Sequence, residues 1–245
     1  MTGIALCSAS SVSYASNNDW RLDIDDSDND VEVHTRKRDN GFVEFLGVTR
    51  LNTSLSSLVA LLRDVEHMPN WSYRTSMAMQ LEQVSARERI IYSVAGMPWP
   101  FKDRDLVVRS RLQQDPVSLT VLVTAEALPD YLPADPAYVR VPFLQSSWAF
   151  EPLSDGTVEV RFKGYGDGGG SLSKGFFNWF SALVVSEAPH QTLLGLRRMV
   201  RQKRYQQASV AIIQEPVRTS TVKGDARNAP QGISNRLSMM SPSSK

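Results

Sequence analysis

Between residues 31 and 164 apolar and polar positions mostly alternate. VEVHTR, FVEFLGVTRL, MQLEQV, RIIYSVA, DLVVRSRL, LTVLVTAEA, YVRVP, SSWAFEPL and TVEVRFKG each keep a period near two, the repeat of a strand with one face buried. Short turns such as Asn40-Gly41 and Asp155-Gly156 separate several of them. One early stretch breaks the rhythm. SLSSLVALLRDVEHMPNW puts Leu55, Leu58, Val59, Leu62 and Val65 at helical spacing, with Ser54 as N-cap and Pro69 as the stop. The folded part closes on SLSKGFFNWFSALVVSEAPHQTLLGLRRMVRQKRYQQ. There Phe176, Phe177, Phe180, Leu183 and Val184 make one wide apolar face, and Leu193, Leu196 and Val200 continue it beyond Pro189, which kinks or restarts the helix. The order is two strands, a helix, about seven strands and a long C-terminal helix. An antiparallel sheet curling around that last helix is the economical way to bury its apolar face, so the fold class is α+β.

Composition narrows the function. The chain has 245 residues, 42% apolar and 22% charged, with a net charge of +1, so no overall field recruits nucleic acid. Cys7 is the one cysteine, which excludes a disulfide framework within the chain. No apolar run is long enough to span a bilayer as a helix. Residues 1–19 read as a leader, 20–207 as one domain, and 208–245, rich in Ser, Pro and Arg, as a disordered tail. Ser13-Tyr14-Ala15 has the shape of a cleavage site without the basic start of a signal peptide. That leaves two expectations: a cytoplasmic protein with a disordered leader, or a periplasmic one carrying the remnant of a signal peptide. The acidic run LDIDDSDND offers Asp26, Asp28 and Asp30 at calcium-loop spacing, but Val31 and Lys37 stand where that loop needs Gly and Glu, so it reads as a solvated turn.

Catalytic and metal signatures are missing. His34, His67 and His190 are the only histidines, none spaced as a metal pair, and each reads as structural. No nucleophile elbow or P-loop occurs, and GYGDGGG at 164–170 lacks the Lys-Ser/Thr of a phosphate cradle. No catalytic residue, metal ligand or cofactor is assigned.

Several stretches together resemble the bacterial branch of the START family, the steroidogenic-acute-regulatory-related lipid transfer domains. They are MPWPFKDRD (97–105), ALPDYLP (127–133), YVRVP (138–142), WAFEPL (148–153) and SALVVSEAPHQTL (181–193), and the resemblance runs from Trp20 to Gln207. It implies a helix-grip fold: a curved antiparallel β-sheet around a long C-terminal α-helix, enclosing an apolar tunnel that holds one lipid or sterol-like molecule. It implies a soluble monomer that binds, and in some members transfers, that ligand. Some animal members pair a Glu and an Arg inside the cavity; here Ser110 stands at the Arg position and Tyr92 or Ile91 near the Glu, which makes Tyr92 and Ser110 the expected polar handles.

On that reading the inward sets are Ile90, Tyr92 and Val94; Leu106, Val108 and Ser110; Val121 and Val123; and Val158, Val160 and Phe162, with Phe176, Phe180, Leu183 and Val184 as the lid. Trp99 and Arg104 are added from the charged corner before residue 106, where Arg104 reads first as a partner of Asp103 or Asp105 and second as a ligand contact. Arg197, Arg198, Arg201, Lys203 and Arg204 end the last helix and could dock transiently on an anionic membrane. A filled core and a lipid tunnel use the same residue types, so the pattern leaves both open. An enzyme on the same fold, of polyketide cyclase or hydrolase type, and a regulatory ligand-sensing domain are the alternatives.

Overall fold

The structure is a computed structural model, described over residues 19–170 and 183–217. Its strands are β1 (Arg21–Asp26), β2 (Val31–Lys37), β3 (Val43–Leu51), β4 (Thr75–Gln83), β5 (Glu88–Ala95), β6 (Arg104–Gln114), β7 (Val121–Ala127), β8 (Val139–Arg140), β9 (Phe143–Pro152) and β10 (Val158–Asp167). They form one open sheet in the order β1-β2-β3-β10-β9-β7-β6-β5-β4, antiparallel throughout except for β8, which pairs in parallel with the start of β6. Helix α1 (Leu55–Arg63) and a 3-10 turn (Val65–Asn70) connect β3 to β4. A π-turn (Leu183–Glu187) leads into α2 (Ala188–Val200), and a short α3 (Lys203–Gln206) follows. Pro189 stands in the first turn of α2, directly after the π-turn, at a position where proline is tolerated.

The core lies between the curved sheet and the two longer helices. Leu55, Leu58, Val59 and Leu61 of α1 and Leu193, Leu196, Met199 and Val200 of α2 pack against Val31, Val121, Phe150, Val158 and Val160, all buried. Ser54 caps α1 by accepting from the Ser57 N–H at 3.1 Å. Gly47 lets α2 approach β3: a Cβ there would lie 2.7 Å from Leu193 Cδ1.

The acidic run is not a free turn. Only 27–30 turns; Arg21–Asp26 is edge strand β1, and the carboxylates of Asp23 and Asp26 face the incoming helix. Asp23 accepts from the Ser186 hydroxyl at 2.9 Å, Asp26 meets His190 Nε2 at 2.8 Å, and Asp30 lies 3.7 Å from Arg197. Positions 186, 190 and 197 recur on one helix face, so the β1–β2 hairpin clasps the C-terminal helix along its length. Arg197 also donates to Thr49 and, at 2.8 Å, to the Arg50 carbonyl, and Arg198 to the Asn70 carbonyl at 2.8 Å. Both cations thus hold the helix to the body.

The hydrogen bond with His190 holds the Asp26 carboxyl below its usual range; at Asp23 burial acts the other way and is outweighed by bonds from Arg21 and Ser186. A depressed folded pKa means stability that is present above the unfolded value and lost as pH falls through the folded one. Amide protection across the 183–190 segment should therefore drop below about pH 4. Asp26→Ala should show part of that loss already at pH 7. Unchanged protection in the variant would mean that the clasp contributes nothing.

The chain packs further than residue 207. Val210, Ile212 and Ile213 lie against the core, Gln214 exchanges two hydrogen bonds with Gln114 (2.8 and 2.7 Å), and Glu215 accepts from the N–H groups of Leu55 (3.1 Å) and Ser56 (2.6 Å). A carboxylate at the start of α1 satisfies two orphan donors and complements the helix dipole. Residues 208–217, expected from composition to belong to a disordered tail, thus pack on the domain through these contacts.

Candidate ligand-binding site

Strand parity decides which side chains can meet a ligand. Ile91 pairs with Val108 and Ser93 with Leu106, so these four share the concave face with Ser110. Val123 and Ala125 continue that face on β7, Leu144, Ser146 and Trp148 on β9, and Phe162 on β10. Opposite them stand Leu62, Met68, Trp71, Ser72 and Thr192 from the helical side. The two walls leave a pocket of about 170 Å³. Trp148 stacks on Phe162 with centroids 4.0 Å apart and planes at 7°, and Trp71 meets Trp148 edge-on at 6.0 Å. Polar side-chain groups of the lining residues are hydroxyls and two indole N–H groups; one hydroxyl, that of Thr192, accepts from the Tyr73 N–H at 3.1 Å. The indole N–H of buried Trp71 has no acceptor among the described residues.

A wider depression of about 350 Å³ lies on the convex side, edged by Glu44, Arg109, Arg111, Glu126 and Lys163. Charges of both signs in its walls make it a poor seat for an apolar molecule, so the smaller concave pocket is the candidate.

Of the residues expected to meet a ligand, Leu106, Val108, Ser110, Val123 and Phe162 lie in this wall. Ile90, Tyr92 and Val94 do not: they pair with Arg109, Val107 and Asp105 and face the other side of the sheet. Tyr92 points its hydroxyl toward Asp105 there, at 3.5 Å, and is no polar handle for the pocket. Val121, Val158 and Val160 share the correct face but are packed solid in the main core, away from the opening. Trp99 is 92% exposed on the β5–β6 loop and does not line this pocket. Phe176 and Phe180 lie outside the described residues, as do the side chains of Leu183 and Val184.

The charged corner is wired differently from the expectation. Asp105 pairs with Arg140, whose Nε and Nη2 donate to Oδ2 at 3.0 and 2.8 Å, while Arg140 also donates to the carbonyls of Pro129 (2.6 Å), Leu132 (3.0 Å) and Pro133 (3.3 Å). Asp105 keeps the Arg140 proton above its ordinary pKa. Arg104, 4% exposed, donates to the Lys102 carbonyl (2.6 Å) and the Gly168 carbonyl (3.3 Å), and burial pushes its pKa down. Asp103 accepts from the Met97 N–H at 2.7 Å and braces the loop. Asp105 is thus paired with Arg140 rather than with Arg104.

No family model matches the sequence. An uncharacterized protein of Pseudomonas aeruginosa is 29% identical over 180 residues, 73% of this chain and 85% of that protein. The crystal structure of a STAR-related lipid transfer protein fragment from Xanthomonas axonopodis is 29% identical, covers 75% of this chain and 99% of its own, and superposes with a TM-score of 0.67. Human StAR-related lipid transfer protein 5 shares the fold at 15% identity, with 77% and 89% covered and a TM-score of 0.63. With the open curved sheet closed by a C-terminal helix, these likenesses establish that the chain has the helix-grip fold of the START, or StAR-related lipid transfer, domains.

Proposed function

We propose that the protein binds one lipid in the concave pocket and passes it between membranes or partners. The observation that carries this reading is the lining: aliphatic and aromatic walls from five strands, faced by α1, Trp71 and α2, with hydroxyls and indole N–H groups as the polar side-chain groups and no acid, base or thiol among the described lining residues. Burying a lipid chain is favourable by about 25 cal/mol per Å² of apolar surface, so such a wall can hold a ligand without charged contacts inside it. Bond-making would need a titratable group beside a nucleophile; the serines of the wall have none next to them in the pocket. The Xanthomonas protein, named for lipid transfer, supports the same reading through fold and 29% identity.

The direct test is mass spectrometry of lipid that co-purifies with the protein, compared with Val108→Trp. Val108 is 8% exposed and sits mid-wall, so an indole there fills the pocket. The variant is expected to lose the lipid and to melt within a few degrees of the parent, because the added bulk can turn into the pocket that Val108 lines instead of into the small cluster it forms with Ile91, Ala78 and Val65. Lipid retained at the parental level would refute the assignment of this pocket.

A further inference from the structure

The pocket has a neighbour. Leu62, Ser110 and Val123 belong to its wall and also to that of a smaller space, about 20 Å³, toward the β4–β5 turn. The far side of that space is made by three arginines: Arg63 at the end of α1, Arg87 in the turn, and Arg89 on β5. Arg89 is the cross-strand partner of Ser110 and lies on the same face as Ile91 and Ser93. It is 8% exposed.

None of the three meets a carboxylate among the described residues. Arg89 donates to the Arg63 carbonyl (3.0 Å) and to Gln83 Oε1 (3.4 Å), Arg63 to the Ala86 carbonyl (2.9 Å), and Arg87 to the Ile212 carbonyl (3.2 Å). The nearby acids are engaged elsewhere. Glu88 turns outward to Arg109 (3.2 Å) and Arg111 (3.3 Å), and Asp64 is held by His67 (2.7 Å) and Tyr205 (2.8 Å). Burial, and then the repulsion of Arg63, push Arg89 down to about 10, which leaves it charged at neutral pH. A buried guanidinium without a counter-charge is costly. Capping the last carbonyls of α1 explains one such arginine; it does not explain three around one gap.

We propose that this arginine neck receives the acid head of a single-chain lipid, a carboxylate or a phosphate monoester, while the chain runs past Ser110 into the apolar pocket. The inference rests on the lipid-binding reading and narrows it to anionic amphiphiles. Guanidinium forks suit both heads because they present paired N–H donors in one plane. Arg87 is exposed and Arg89 buried, so the neck runs from solvent to the pocket wall and the head would sit at its narrowest point.

Displacement of Nile red, a neutral dye that reports apolar pockets, tests this at pH 8 with palmitate, hexadecanol and 1-palmitoyl-lysophosphatidate. Palmitate or the lysophosphatidate should displace the dye at least about tenfold more tightly than hexadecanol, the worth of one or two charge-assisted hydrogen bonds. Whichever acid is tighter identifies the head. In Arg87→Gln and Arg89→Gln that preference should shrink below about threefold, with hexadecanol unmoved. Arg87→Gln, at an exposed position, carries the comparison if Arg89→Gln does not fold. Equal displacement by all three in the parent protein would overturn the neck and leave the lipid pocket standing. So would a preference for acids that survives in the folded variants. Displacement by none of them would remove the lipid reading and this inference together.

Discussion

Gly195→Ala should destabilise the protein by about 2–3 kcal/mol, although alanine is the better helix former by about 1 kcal/mol. A Cβ at position 195 would stand 2.1 Å from the Trp71 carbonyl oxygen and 2.9 Å from its carbonyl carbon and Cα. Those are backbone atoms, so no rotamer change relieves the overlap; α2 or the segment around Trp71 must move. Trp71 walls the pocket and meets Trp148 edge-on, so the shift reaches the candidate site, and any lipid retention should fall with stability. Gly47→Ala is the control. Its Cβ would press on Leu193 Cδ1, the end of a flexible side chain, and should cost less. Urea denaturation of the two variants checks the order. A Gly195→Ala protein as stable as the parent would mean that α2 does not lie this close to Trp71.

The same contact shows what a sequence can reveal and what it cannot. The order of elements and the fold class are visible in hydrophobic period, and the face of β6 carrying Leu106, Val108 and Ser110 is read correctly from alternation. The face of β5 is not. In RIIYSVA both faces are apolar because both are buried: Ile90, Val94 and Val107 are closed to solvent on the outer side as Ile91 is on the inner. Alternation then carries no sign, and the parity of pairing must come from the β5–β6 loop. That loop is eight residues of Pro, Trp and charge between Ala95 and Arg104, too long to dictate a register. The consequence is a one-residue error that turns Ile90, Tyr92 and Val94 outward and hides Ile91 and Ser93. Trp71 and Thr192 are missed for another reason: they approach from elements far apart in sequence, and no local pattern marks them. Trp99 misleads because a Trp between prolines looks like packing, yet it stands in water. Asp23, Asp26 and Asp30 look like parts of a solvated turn, because their partners Ser186, His190 and Arg197 lie more than 160 positions away.

Asp105→Ala should cost about 3–5 kcal/mol, the penalty for leaving one member of a buried ion pair alone. The side chains of Asp105 and Arg140 are 1% and 11% exposed, so little water can replace the lost partner. Arg140 would keep its bonds to the carbonyls of Pro129, Leu132 and Pro133, but those are neutral acceptors and do not offset a buried positive charge. Because these carbonyls belong to the 129–133 segment and Arg140 to β8, loss of the carboxylate should loosen that covering layer before the sheet itself opens. Arg104→Ala provides the contrast. Its bonds to the Lys102 and Gly168 carbonyls are among those lost, and the expected cost is about 1–3 kcal/mol. The pair itself need not be a net gain over apolar packing. Asp105 Oδ1 has no donor among the described residues, so the carboxylate is desolvated without being fully compensated. Asp105→Leu combined with Arg140→Met should therefore recover most of the loss seen in Asp105→Ala, as apolar replacements of buried ion pairs commonly do. Equilibrium unfolding of the single and double variants measures both numbers. If Asp105→Ala unfolds at the parental denaturant concentration, the pair is not what closes the outer layer. If the double variant is no better than the single, the geometry of the guanidinium rather than its charge is what the 129–133 segment requires.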